Sequence, residues 1–223
     1  MITQIYEVRN PDEARQLVAV GVDHIGVLVG DGEFPRELNL ETAKKVFKAV
    51  LPPTKRIALS LSRDLRKIEQ IVNELQPDIL HLGAVPEALT PDEVIKLKKP
   101  FPHLPIMRSI PVTGKESVAL AKSHDGVADY LLLDTHKKED AQVGATGLTH
   151  DWSISREIVE SVKIPIILAG GLGADNVAEA IRHVRPSGVD SKTKTDKTGS
   201  HEKDIGKVKK FVDIAKSTGA SAI

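Results

Sequence analysis

Short aliphatic runs alternate with amphipathic stretches from one end of the chain to the other, eight of each, and this alternation restricts the fold more than any other feature. The aliphatic runs begin near Ile2 (ITQIYEV), Asp23 (DHIGVLV), Arg56 (RIALSL), Asp78 (DILHL), Pro105 (PIMRSI), Asp129 (DYLLLD), Ile164 (IPIILAG) and Ser187 (SGVD). Spread over 223 residues, this is about 28 residues per unit, enough for one strand, one helix and two loops. The stretches between them carry apolar residues at three- and four-residue spacing, as in Leu65, Ile68, Val72 and Leu75, in Val177, Ala180, Ile181 and Val184, and in Ile205, Val208, Phe211, Val212 and Ala215. Each such stripe can cover one face of a sheet. Two helix starts are marked by a cap residue, a proline and an acid at the third helical position: Asn10-Pro11-Asp12-Glu13 and Thr90-Pro91-Asp92-Glu93. With no linker, low-complexity tract or composition shift, the count predicts a single (β/α)8 TIM barrel domain over 1–223, with an open doubly wound sheet as the alternative.

Composition supports buried parallel strands and removes several chemistries. Only seven residues are aromatic (Phe 4, Tyr 2, Trp 1), so Val, Ile, Leu and Ala must fill the core. The 31 basic residues balance the 31 acidic ones, leaving no overall field to favour nucleic acid or an anionic membrane. No apolar run approaches the roughly 20 residues of a membrane span, and MITQIYEVRN lacks the charged-then-apolar order of a signal peptide; a cytoplasmic location is expected. The chain has no cysteine, which excludes disulfides, thiolate nucleophiles or bases, and Cys-ligated metals. No metal or cofactor is expected.

In a barrel of this kind the site lies at the C-terminal ends of the strands. After the seventh strand stands Leu168-Ala169-Gly170-Gly171-Leu172-Gly173-Ala174-Asp175-Asn176, a glycine turn opening a helix near Asp175. Backbone N–H groups bared by glycine at a helix start can hold a phosphate, although an ordinary tight turn has the same sequence. The loop after the eighth strand, Ser191 to Gly199, adds hydroxyls and three lysines. The sixth strand ends at Asp134, where partial desolvation would raise a carboxyl pKa and suit it to acid or base work; bracing the loop is the other role such a residue takes. The loop that follows holds Gly144-Ala145-Thr146-Gly147, able to form a wall or lid, and then His150-Asp151-Trp152. Arg36 could grip a carboxylate or phosphate, or form a surface ion pair. His81 either faces the barrel mouth or lies outward under a helix.

Taken in order, the segments resemble phosphoribosylanthranilate isomerase of tryptophan biosynthesis: QIYEVRNPDEA, GVDHIGVLV, FPREL, PDILHLG, DYLLLDT, GATGLTHDW, PIILAGGLGADNVAEAI, and SGVD followed by GSHEKDIGKVKKFV. The resemblance implies an Amadori rearrangement, in which a general acid opens the ring of a phosphoribosylamine and a base removes the C2 proton of the Schiff base. It implies Asp134 as the acid, Arg36, Gly144, Thr146 and Asp190 as substrate contacts, and Gly170, Gly171, Gly173, Ser191 and Lys192 as the phosphate cradle. The ligand implied is a phosphorylated sugar-type small molecule, and a homodimer fits the resemblance. The family's base is a cysteine, and its position is occupied here by Tyr6. Glu7 replaces the family glycine, His81 a glutamine, Gly83 a histidine, and Lys192-Thr193-Lys194 a Ser-Ser-Gly. A phenol with a pKa near 10 is a poor base at neutral pH, so Glu7 and His81 become the candidates, His81 favoured by its ordinary pKa near 6.5 and Glu7 by its place beside Tyr6. Regular strand alternation would point Tyr6 inward and Glu7 outward, unless a local twist turns Glu7 into the mouth. An isomerase or lyase for another phosphosugar, and a non-catalytic barrel that binds a phosphorylated ligand or a protein partner, are the competing readings.

Overall fold

Each aliphatic run forms a strand in the computed structural model, which describes residues 1–135 and 149–221. The strands are β1 (Ile2–Ile5), β2 (His24–Leu28), β3 (Lys55–Ser60), β4 (Ile79–Leu82), β5 (Ile106–Pro111), β6 (Tyr130–Asp134), β7 (Ile166–Leu168) and β8 (Gly188–Ser191). All pair in parallel in sequence order, and β1 closes on β8 through the Ile2↔Gly188 to Ile5↔Ser191 register. Closure rules out the open sheet. Helices α1 (Pro11–Ala19), α2 (Leu40–Ala49), α3 (Leu65–Leu75), α4 (Pro91–Lys98), α5 (Glu116–His124), α6 (Trp152–Ser161), α7 (Val177–Val184) and α8 (Ile205–Ser221) follow the strands in turn, giving the (β/α)8 barrel.

The helix stripes bury as their spacing requires: Ile68, Val72 and Leu75 of α3, all four stripe residues of α7, and Val208, Phe211, Val212 and Ala215 of α8. Both Pro-marked starts hold. The Asn10 side chain accepts from Glu13 N at 2.9 Å, and Glu93 Oε2 accepts from Thr90 N at 2.6 Å. The start expected near Asp175 moves to Val177, because Asn176 is the cap residue and its Oδ1 folds back onto the Gly173 N–H at 2.8 Å.

Two apolar layers support the barrel. Between strands and helices, Val, Ile, Leu and Ala form one large core, and Leu80, Leu82, Val94 and Leu97 around β4 and α4 form a second, separate cluster. Inside the barrel, Ile57, Ile79, Met107, Leu132 and Ile167 fill the floor beneath Tyr6. Because side chains alternate along a strand, the same rows that supply this floor continue upward to His81, Ser109, Asp134 and Asp190. A mostly aliphatic column therefore ends in a polar layer at the C-terminal mouth.

Candidate active site

The mouth cavity is lined by Tyr6, Glu7, Leu28, Leu59, Leu61, His81, Ser109, Leu132, Asp134, Asp190 and Lys192. It brings together all four candidates for proton transfer. Gly144 and Thr146 lie outside the described residues.

Tyr6 stands just beyond β1 with its ring against β2, where a Cβ on Gly26 would lie 2.1 Å from the ring carbons. Glycine at that position is thus a steric requirement of the tyrosine. The Tyr6 hydroxyl lies 2.5 Å from His81 Nδ1, and His81 Nε2 lies 2.7 Å from Ser109 Oγ. His81 accordingly faces inward, with both ring nitrogens engaged. Burial, aided by the Arg108 charge, lowers its pKa to about 3. Burial and the Asp190 charge raise the Tyr6 hydroxyl well above the phenol range. Neither group is poised to take up a proton near neutral pH: His81 holds one too weakly, and Tyr6 already holds its own.

Glu7 takes a left-handed backbone conformation, φ 58°, which breaks the alternation and turns its carboxylate into the mouth. There Arg36 Nε donates to Oε2 at 2.6 Å and Nη2 donates to Oε1 at 3.1 Å. Arg36 is also left-handed, φ 72°. Lys192 Nζ approaches Glu7 Oε2 to 3.4 Å and Asp196 Oδ2 to 3.0 Å. Burial alone would raise the Glu7 pKa, but the Arg36 hydrogen bonds and the Lys192 charge outweigh it and hold the carboxyl below its usual range. The guanidinium read from the sequence as a ligand grip or a surface ion pair is therefore half-buried at the mouth and paired within the chain.

Asp134 ends β6 with its pKa raised to about 7 by burial, an effect that the Thr135 N–H and hydroxyl partly offset. Asp190, on β8, is pushed well above the carboxylate range by burial and then by the Asp134 charge. Gln4 Nε2 donates to Asp190 Oδ1 at 3.3 Å, while His24 Nδ1 meets Gln4 Oε1 at 3.1 Å, so a buried polar chain runs beneath the two acids. Since Gln4 Oε1 can only accept, His24 carries its proton on Nδ1.

Beside Asp134 lies the glycine turn. Gly170 and Gly171 have φ of 85° and 60°, and a Cβ on Gly170 would stand 2.8 Å from His150 Nδ1 and 3.4 Å from Asp134 Oδ1. Gly173 is bonded to Asn176, and Ser191 Oγ donates to Leu172 O at 2.6 Å, tying the β8 loop to the turn. The Lys192 ammonium faces Glu7 and Asp196, while Lys194 and Lys197 pair with Asp175 and Glu202.

Three contributors escaped the sequence reading. Ser109, a polar residue inside the apolar PIMRSI run, fixes His81. Arg108 is fully buried on the other face of β5 and donates through Nη1 to Leu82 O and Ala84 O at 2.7 Å each, anchoring the loop that follows His81. Gln4 links the mouth to the barrel interior.

The family model for N-(5′-phosphoribosyl)anthranilate isomerase matches residues 4–214. The chain belongs to this family. N-(5′-phosphoribosyl)anthranilate isomerase 2 of Methanosarcina mazei is 34% identical over 218 residues, 97% of this chain and 95% of that protein. The enzyme of Methanocella arvoryzae is 33% identical, covering 93% and 94%. Among solved structures, the isomerase of Pyrococcus furiosus superposes with a TM-score of 0.78 at 26% identity over 97% of this chain and 99% of its own. A further isomerase structure, 21% identical and similar in fold with a TM-score of 0.80 over 97% of this chain and 100% of its own, holds reduced 1-(o-carboxyphenylamino)-1-deoxyribulose 5-phosphate. Family membership places the chain among isomerases of tryptophan biosynthesis.

Proposed function

We propose that the chain isomerises a phosphoribosyl-linked amine by an Amadori rearrangement, with Asp134 as general acid and a carboxylate in place of the family cysteine. The observation that carries this reading is the Asp134 carboxyl at the mouth with a pKa raised to about 7, which leaves a proton available to donate near neutral pH. Asp134 gives its proton to the ring oxygen, the C1–O bond breaks, and the nitrogen lone pair forms the Schiff base. A base then takes the C2 proton, and the released electron pair forms the C1=C2 bond as the C=N electrons return to nitrogen. Tautomerisation of this enolamine to the ketone completes the reaction, with no external oxidant or reductant.

Of the three candidate bases, Glu7 is favoured. Although Arg36 bonds both its oxygens, Glu7 is ionised and lines the cavity, whereas burial lowers the His81 pKa to about 3 and Tyr6 holds its proton too tightly. Gly170, Gly171 and the backbone after Asp190 are proposed to hold the phosphate, with Asp190 against the sugar hydroxyls. Gly173 and Ser191 would act by shaping that turn, since their N–H and hydroxyl are already used. Arg36 and Lys192 stand at the rim, paired with Glu7 and Asp196.

A second reading, chemistry on another phosphosugar, is favoured by one observation: the Tyr6 ring fills the floor where the family presents a much smaller side chain. The test is turnover of N-(5′-phosphoribosyl)anthranilate and of N-(5′-phosphoribosyl)aniline by the parent and by Asp134→Asn, Glu7→Gln, His81→Asn and Tyr6→Cys. Loss in Asp134→Asn and in Glu7→Gln, with His81→Asn retained, is the expected pattern. An inactive parent that gains turnover in Tyr6→Cys would favour the second reading or a binding role. Proton transfer alone needs no metal, and among the described residues no group of three or more His, Asp or Glu is placed to hold one. A homodimer, as for the dimeric isomerase of Thermotoga maritima, is proposed and is read by sedimentation equilibrium. A cytoplasmic location is likewise proposed; among the described residues no helix is long and apolar enough to cross a membrane.

A further inference from the structure

We infer that Tyr6, His81 and Ser109 form a reversible hydrogen-bond chain that binds the ligand oxygen on C2, the one the reaction converts from hydroxyl to carbonyl. The inference rests on the isomerase reading and adds binding residues to it. The three side chains are buried, come from the end of β1, from β4 and from β5, and line the same cavity as Glu7 and Asp134. The Tyr6 hydroxyl is 2.5 Å from His81 Nδ1, and His81 Nε2 is 2.7 Å from Ser109 Oγ.

This chain carries one hydrogen more than its own links use. Burial and the Arg108 charge keep the imidazole neutral, with a single N–H, while burial and the Asp190 charge keep the phenol protonated. Tyr6, His81 and Ser109 therefore hold three polar hydrogens for two links. In the first arrangement Tyr6 donates to Nδ1, Nε2–H donates to Ser109, and the serine hydrogen is left over. In the second, Ser109 donates to Nε2, Nδ1–H donates to the phenol oxygen, and the Tyr6 hydrogen is left over. Its other acceptor among the described residues is then the weak Met107 thioether, at 4.0 Å. Without ligand the first arrangement is favoured, because phenol is the stronger acid and imidazole nitrogen the stronger base of that pair.

What the cavity offers sets the direction of the chain. A carbonyl oxygen can only accept, so at the Tyr6 end it draws the phenol hydrogen outward and moves the imidazole proton from Nε2 to Nδ1. A ligand hydroxyl can donate to the Tyr6 oxygen and leaves the first arrangement in place. The same three hydrogens are present in both arrangements, so the shift changes no charge in a buried site. An Amadori rearrangement turns the C2 oxygen from hydroxyl to carbonyl, and a partner of fixed polarity would satisfy only one of the two states. Tyr6 adjoins Glu7, the residue proposed to take the C2 proton, which puts the oxygen on that carbon beside the phenol. The chain binds this oxygen and removes no proton from carbon, in keeping with turnover retained in His81→Asn.

The test is ¹⁵N NMR of the histidine-labelled protein with two ligands that differ only at C2: 1-(o-carboxyphenylamino)-1-deoxyribulose 5-phosphate, a ketone there, and its reduced form, an alcohol. The His81 ring signals are identified by their absence in His81→Asn. The free parent and the alcohol complex should carry the proton on Nε2, and the ketone complex should carry it on Nδ1. In Tyr6→Phe the two complexes should show one and the same tautomer, and affinity for the ketone should fall at least tenfold by calorimetry. The same His81 tautomer in both complexes of the parent would overturn the inference, as would undiminished ketone affinity in the folded Tyr6→Phe variant. Failure of the parent to bind either ligand would instead remove the phosphosugar isomerase reading, and the inference with it.

Discussion

Asp134 is the residue on which acid catalysis and stability meet. As a donor it must be protonated, so kcat should fall as pH rises through about 7, and Asp134→Asn should lose on the order of 10²- to 10⁴-fold in rate. The same burial has a thermodynamic consequence of definite sign. A folded-state pKa raised from 3.8 to about 7 means that the folded chain binds the proton more tightly than the unfolded one. Stability from this group is complete below pH 3.8 and declines as pH rises toward 7. Asp134→Asn should therefore melt higher than the parent at pH 8, by a margin on the order of 1–4 kcal/mol, with the difference shrinking as pH falls. Melting temperatures across pH 5 to 8 read this directly; a variant less stable than the parent at pH 8 would show that Asp134 is held ionised instead. Glu7 was a candidate in the sequence, but residue-by-residue reading left its direction open. Regular alternation points it outward, and only its left-handed φ and an arginine far along the chain bring it into the mouth.

Strand and helix units were the most legible feature of the chain, because each aliphatic run is long enough to show burial on both faces and each helix stripe repeats at helical spacing. The caps before α1 and α4 were legible because Pro and an acid at fixed offsets have a direct backbone reason. Loop side chains were not. The α7 start moved because Asn176 closes on Gly173, and the lysines after β8 found acids that sequence spacing does not identify. Contacts between elements also explain why Tyr6 is accommodated. Gly26→Ala should destabilise the parent by about 1–3 kcal/mol through overpacking against the Tyr6 ring, while in a Tyr6→Cys background most of that cost should disappear. Additive effects in this double-mutant cycle would contradict the proposed fit between β1 and β2. At the other side of the mouth, Gly170→Ala combines a left-handed backbone with an approach of 2.8 Å to His150 Nδ1. It should weaken binding of inorganic phosphate at least tenfold by calorimetry, and unchanged affinity would remove the turn from the phosphate site.

At the scale of the whole molecule, a neutral chain concentrates its functional charge at one end of a barrel. The 31 acidic and 31 basic residues cancel globally, yet a cleft bordering the mouth is lined by Arg36, Lys192, Lys194, Lys197, His201 and Lys207 against a single acid, Asp196. This arrangement suits a small anionic ligand better than a long polyanion, whose binding is sustained by many spread contacts. The aliphatic barrel interior supplies the low-polarity support that raises Asp134 and Asp190, while Arg36 and Lys192 at the rim keep Glu7 ionised. Two carboxyl environments pushed in opposite directions within one cavity are the physical basis of an acid and a base working together. The most direct test is proton NMR in D₂O of ribose 5-phosphate mixed with aniline or anthranilate and the protein. The account predicts an aminoketose bearing solvent deuterium at C1, formed with the parent and lost in both Asp134→Asn and Glu7→Gln. No aminoketose from either amine with the folded parent would contradict it.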